Sequence, residues 1–320
     1  MRGFRFASLC LSLAASAWSA GPVGRTDAAT MDPYLPIRNS ALQFQLGASY
    51  ASLPGYYAKS DTVTATSGSK VIDLPNAGSL TQLNLRIRHG FVANTEAILD
   101  IPYVLASGDV RRMEPTANET DTKKALSQRG SGDTSAAGFG DWTMAVKSAY
   151  ELNMGSAEGG VGGYFALVLP VGEALGSGAY CNGDGQIDMG LFFNLTAMKQ
   201  YQVLTNFVYG FDLPATNRQL DKQDSWSGYL RMGYLLADAQ YRPYLAVTYK
   251  GYGDYKIDDN KEASGGMQLV VSPGIDLTLA GDFSAELAFD YTVMGSGNAS
   301  VATNNGWKIK ADLKYFWFRY

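Results

Sequence analysis

The sequence predicts an all-β protein: a closed antiparallel transmembrane β-barrel of about 12 strands, with short periplasmic turns and longer extracellular loops. Three observations predict it. Apolar and polar residues alternate with period 2 along most of the chain. The connections between these stretches are alternately short and long. Aromatic residues recur in pairs eight positions apart on the apolar parity.

Composition agrees. A chain of 320 residues suffices for two average domains or one large all-β unit. Charged residues make up 18%, below the usual proportion of about a quarter. The 36 glycines and 20 tyrosines suit strands and turns better than helices. A net charge of −4 gives no sign of a nucleic-acid partner. The start reads as a secretory signal: Arg2 and Arg5 precede an apolar run from Phe6 to Ala17, and Ala17 and Ser19 place small residues before a cleavage at Ala20. That run is too short to span a membrane. The expected organisation is a signal peptide at 1–19, a periplasmic N-terminal segment at 20–39 and a single barrel domain at 40–320. Cys10 leaves with the signal, so Cys181 alone remains and no intrachain disulfide is expected.

Strands are expected at 40–51, 79–90, 95–105, 139–152, 158–170, 185–198, 201–212, 225–237, 240–251, 265–280, 284–294 and 305–320. The gaps at 91–94, 153–158, 200, 237–239 and 281–282 are tight. Those at 52–79, 107–138, 171–183, 213–224, 252–264 and 295–304 are long. A soluble sandwich has no reason to sort its loops so, whereas an outer-membrane barrel has short turns at one end and long loops at the other. The segment 107–138 is polar and rich in Gly, Ser and Thr, and reads as an external loop that folds inward as a constriction or stays mobile.

Alternation alone leaves the inside face open, since a lipocalin-like barrel would bury the apolar side. The stretch "RIRHGFVANTEAILDIPYVLASG" shows the problem: one parity is aliphatic, the other carries Arg86, Arg88, Glu96 and Asp100. The aromatic pairs Trp142/Tyr150, Tyr201/Tyr209, Trp226/Tyr234, Tyr241/Tyr249 and Trp307/Tyr315 decide it. Eight residues span roughly 26 Å along a strand. At a tilt of about 40° this is about 20 Å of height, near the ~25 Å apolar band of membrane barrels. Each pair puts one ring at each interface. The apolar parity is therefore expected to face lipid and the charged parity the lumen. Closure removes the sheet edge, so that every backbone group pairs inside the wall. The last strand, "GWKIKADLKYFWFRY", would zip against the first. Its aromatic end resembles the signature of barrels handled by the outer-membrane assembly machinery, although it closes on Tyr320, and Arg319 falls on the lipid-facing parity.

Four stretches carry a family resemblance: "RIRHGFVANTEAILDIPYVLASG", "GFGDWTMAVKSAYEL" with its Gly-x-Gly-Asp start and a Lys six residues on, "GGYFALVLPVGEALG" ending in Pro-x-Gly, and "VVSPGIDLTLAGDFSAELAF". In this order they resemble the outer-membrane proteins grouped as the MetA-pathway of phenol degradation family, over about Leu80 to the C-terminus. The resemblance implies an outer-membrane barrel and small-molecule passage, of hydrophobic or aromatic compounds.

The candidate site is the lumen, lined by Arg86, Arg88, Asp100, Asp141, Lys147, Asp188, Arg231, Arg242, Asp276, Asp290 and Lys310. Near-equal numbers of basic and acidic positions predict weak ion selectivity or a lumen filled by ion pairs. Asp141 and Lys147 are expected to join Arg86 and Arg88 in such a network. The inward Tyr164, Phe192, Tyr229 and Tyr244 line a path for an aromatic solute or act as filler. Gly138-Phe139-Gly140-Asp141 lacks the helix and the Lys-Ser/Thr of a phosphate loop. "NGDGQID" places Asn182, Asp184 and Asp188 like part of a calcium loop, but Tyr180 and Leu191 stand at two ligand positions, so a plain turn is preferred and no metal or other cofactor is expected. The single histidine, His89, falls at the periplasmic end of its strand, which argues against an enzyme. The sequence thus points to a channel for small molecules in the bacterial outer membrane. The alternative is a non-transporting structural or surface-binding barrel with a plugged lumen. Membrane lipid, lipopolysaccharide, the barrel assembly machinery and small solutes are the expected partners.

Overall fold

The computed structural model describes residues 35–37, 39–53, 62–66, 72–92, 94–115, 123–169, 171, 185–213, 220–222, 224–236, 240–252, 255–257, 260–263, 266–279, 282–296 and 306–318. The signal and cleavage site, Asn182, Asp184, Cys181 and Arg319 lie outside the described residues. No described residue is helical. Strands run in chain order as β1 (Ala41–Leu53), β2 (Thr62–Thr66), β3 (Ile72–Val92), β4 (Thr95–Pro115), β5 (Lys123–Phe139), β6 (Trp142–Asn153), β7 (Ala157–Leu169), β8 (Gln186–Ala197), β9 (Tyr201–Asp212), β10 (Leu220–Lys222), β11 (Ser225–Tyr234), β12 (Tyr241–Tyr252), β13 (Tyr255–Ile257), β14 (Asn260–Ala263), β15 (Gly266–Thr278), β16 (Phe283–Ser296) and β17 (Trp307–Phe318).

The wall is a closed antiparallel barrel of 12 staves. β1 pairs with β3 on one side and with β17 on the other, Ala41 opposite Phe318 and Ser52 opposite Trp307. β5 and β6 together form one stave: β4 pairs with β5 from Tyr103–Phe139 upward and with β6 from Asp100–Thr143 downward. The stave steps at Gly140–Asp141, opposite Pro102, and the Gly140 N–H is donated to the Pro102 carbonyl at 2.9 Å. Proline has no N–H to return to the ladder, so a break falls there at little cost. At the short-turn end, the β8–β9 turn places Met198 and Lys199 at φ 53° and 57°, the left-handed geometry that tight hairpins favour.

The expected external loop 107–138 is instead mostly strand. β4 and β5 continue as a hairpin to Pro115–Leu126, with β2 on the outer edge of β5. Beyond the membrane a ladder needs no apolar face, so hydrophobic periodicity gives no signal of it. Short strands also occur in the connections 213–224 and 252–264, where β10, β13 and β14 form a separate three-stranded sheet.

The faces fall as the aromatic pairs require. Trp142, Met144 and Val146 of β6 are exposed, while Thr143, Ala145 and Lys147 between them are buried. Rings cluster at both rims of this apolar belt. Tyr201 and Tyr234 meet at 5.2 Å, and Phe283 and Tyr315 at 4.7 Å, at the short-turn rim. Trp307 lies between Tyr50 and Phe289 at the other rim.

Candidate functional site

The lumen holds two ion-pair networks, each set up by strand register. In the first, Arg86 and Asp100 are direct cross-strand partners on β3 and β4. The guanidinium donates from Nε and Nη2 to Asp100 at 3.0 Å each, and Asn84 donates to the same carboxylate at 2.9 Å. One turn of the pleat lower, Arg88 grips Glu96 with two bonds of 3.1 and 2.8 Å and reaches Gln43 at 3.0 Å. Glu96 also faces Lys147, its register partner on β6, at 3.9 Å. Lys147 in turn lies over the Phe192 ring, 4.6 Å from its centroid. The expected joining of Lys147 to this network occurs through Glu96, a residue outside the candidate set, and Asp141 is buried on the same inner wall.

This network also binds chain from outside the barrel wall. Ahead of β1, Leu35–Pro36–Ile37 turns back into the lumen. The Ile37 N–H is donated to Glu96 at 2.9 Å, and Arg88 donates to the Leu35 carbonyl at 3.3 Å. The Leu35 side chain packs on the buried cluster of Tyr164, Phe192 and Val208 and over Gly160. The strap thus runs from the foot of β1 to the wall of β7 and β8. Sequence reading assigned these residues to a segment ahead of the barrel; Pro36 and two aliphatic neighbours were the only local hint.

The second network spans β11 to β17. Asp276 has Arg242 and Glu286 as its two register partners. Arg231 reaches across both carboxylates: Nη2 donates to Asp276, and Nη1 lies 3.4 Å from Glu286. Its guanidinium covers the Tyr244 ring at 3.6 Å. Glu286 is the hub, accepting also from Tyr244 at 2.7 Å and from Lys314 at 2.9 Å. Higher on the wall, Lys310 and Asp290 pair at 2.6 Å. Asp188 accepts from Gln186 near the far end of β8, as a strand residue facing the lumen rather than a loop ligand. Among the described residues, no group of three His, Cys, Asp or Glu side chains is placed to hold a metal ion.

Inward aromatics are matched to glycines across the ladder. Tyr164 covers Gly190, Phe192 covers Gly162, and Tyr244 covers Gly274, each pair directly opposite in register. A ring lying flat on a glycine fills the space a Cβ would take and leaves little of itself facing the pore. His89 faces outward at the short-turn rim, its Nδ1 3.2 Å from the Ala41 carbonyl.

Between the strap and the second network lies a cavity of about 730 Å³ at the short-turn end, bordered by Ile37, Gln202, Arg242, Asp276, Lys314 and Phe316. An apolar belt with aromatic rims, wrapped round a closed polar lumen, defines a membrane-spanning β-barrel of the outer-membrane type. The chain is similar to an outer membrane channel from Pseudomonas putida F1, at 15% identity and a TM-score of 0.59, over 89% of this chain and 99% of that one. Weaker similarity extends to the transport unit of the autotransporter AIDA-I from Escherichia coli (12% identity, TM-score 0.44, 88% and 91% covered) and to a Pseudomonas aeruginosa FadL homologue (10%, 0.43, 95% and 99%). No family model and no curated protein matches the sequence. The fold expected from the family resemblance is the fold found.

Proposed function

We propose that the mature chain, after loss of residues 1–19, is a channel of the bacterial outer membrane that lets small molecules cross by passive or facilitated diffusion. The observation that carries this reading is the cavity at the short-turn end, read here as the periplasmic mouth. It is lined in part by partly solvated charges and lies inside a wall with a channel's fold. The cavity has an apolar side, with Ile37, Leu277 and Phe316, and a polar side, with Arg242 and Lys314. It therefore suits a small solute with both characters, including aromatic compounds that carry a polar group. Membrane lipid and lipopolysaccharide would meet the outer belt, and the barrel assembly machinery would insert it.

One observation favours a second reading. The network around Glu96, with the strap bound to it, is buried on one side of the lumen, a packing that a non-transporting, plugged barrel would extend across it. Single-channel recording of the refolded protein in a planar bilayer, under a salt gradient, separates the two. The channel reading expects steady steps with a small reversal potential. A silent membrane despite verified insertion would leave the plugged barrel.

A further inference from the structure

Resting on the channel reading, we propose that Arg242 is the selectivity residue of the periplasmic mouth. It would favour small solutes that carry an anionic group, such as a carboxylate, beside an apolar body. The strap lines one side of the cavity at that mouth, so a solute entering there would pass between the strap and the wall that carries Arg242. Of the lumen arginines, Arg242 is the least committed. Arg86 and Arg88 each hold a carboxylate through two nitrogens, and Arg231 bridges two carboxylates. Among the described residues Arg242 contacts only Gln202, at 3.2 Å, and Asp276, at 3.6 Å, through the same Nη1; its Nε is buried without an acceptor, and Nη2 is the nitrogen left to meet a solute. Its side chain keeps 22% of its exposure, against 6% for Arg86 and 1% for Arg231.

The neighbouring carboxylates do not cancel it. Asp276 is held more closely by Arg231, and Glu286 by Lys314 and Tyr244. Glu158 and Asp282 also border the cavity, but both are exposed at the rim, where salt screens them within about 10 Å. A partly exposed guanidinium with Nη2 to spare, lining the same cavity as Ile37 and Phe316, offers a charged donor to a carboxylate whose body rests on the apolar side.

The test is the reversal potential in a potassium chloride gradient, repeated with potassium benzoate, for wild type, Arg242→Gln, Arg242→Lys and Gln202→Glu. Arg242→Gln should lower the anion-to-cation permeability ratio about threefold and reduce the benzoate current, while Arg242→Lys keeps most of the ratio. Gln202→Glu leaves the arginine in place and neutralises it, so it should shift the ratio the same way; it decides the matter if Arg242→Gln does not fold. Unchanged reversal potentials in both Arg242→Gln and Gln202→Glu, with conductance steps intact, would overturn the assignment and leave the channel reading standing. A wild type without steps would overturn the channel reading, and the assignment with it.

Discussion

The two halves of the lumen use the same chemistry to different ends. Around Glu96 the side chains of Glu96, Asp100 and Lys147 have no exposure at all. Around Glu286 the side chains of Arg242, Asp276, Glu286 and Lys314 keep 16–22% of theirs. Both halves pair arginine with two inward carboxylates, so the pairing itself does not separate structure from passage. The strap does. Leu35–Ile37 lies on the network of Glu96 and, with Arg88, forms one side of the cavity; Arg242, Asp276 and Lys314 border the other side without such a cover.

The largest test of this contrast is Glu96→Ala. It would strip Arg88 and Lys147 of a shared, fully buried partner and free the Ile37 N–H. Loss of one partner from a buried pair costs about 3–5 kcal/mol. Urea unfolding in lipid vesicles should show a loss of that order. Correctly inserted protein should also conduct more, because the strap has lost its anchor. Glu286→Ala, in the partly solvated half, should cost clearly less. Equal losses would mean that exposure does not distinguish the two networks.

Next in size is Leu191→Arg, on the outer face at mid-height of β8 and 68% exposed. An arginine facing the bilayer midplane destabilises a barrel by about 2–4 kcal/mol. Exposed surface on a soluble barrel would tolerate it, so an unchanged stability in vesicles would undo the assignment of the outer face to lipid.

Most of the wall was legible in the sequence because a period-2 pattern and an apolar belt leave the same trace: the expected 201–212 coincides with β9, and Trp142/Tyr150 fall at opposite rims of β6. The extended hairpin of β4 and β5 was not, since it lies outside the belt and its ladder imposes no alternation. At the site, parity placed Arg86, Asp100, Arg231 and Asp276 on the inner wall; cross-strand register brought Arg86 to Asp100, whereas Arg231 reaches Asp276 across the intervening strand β12. Glu96 and Glu286, the hubs, carried no mark that set them apart from other inward carboxylates, because a hub is defined by what three or four separate strands bring to it. The strap was invisible for a related reason: three residues have no periodicity, and their place depends on donors and acceptors far along the chain.

The smallest effects come from two glycines that the barrel treats oppositely. Gly190 lies beneath the Tyr164 ring on the inner wall, whereas a Cβ on Gly228 of β11 would meet nothing within 4 Å. Gly190→Ala forces the ring up into Leu35, Phe192 and Val208, and overpacking of this kind costs about 1–3 kcal/mol. Gly228→Ala adds no contact and restricts the unfolded chain, which should stabilise by about 0.4–1 kcal/mol. Unfolding midpoints of the pair in vesicles therefore should move in opposite directions. If Gly190→Ala is neutral, the Tyr164 ring has room to move off its glycine. The inward rings would then be adjustable lining rather than filler, and the packed side of the lumen would itself be open to a passing aromatic solute.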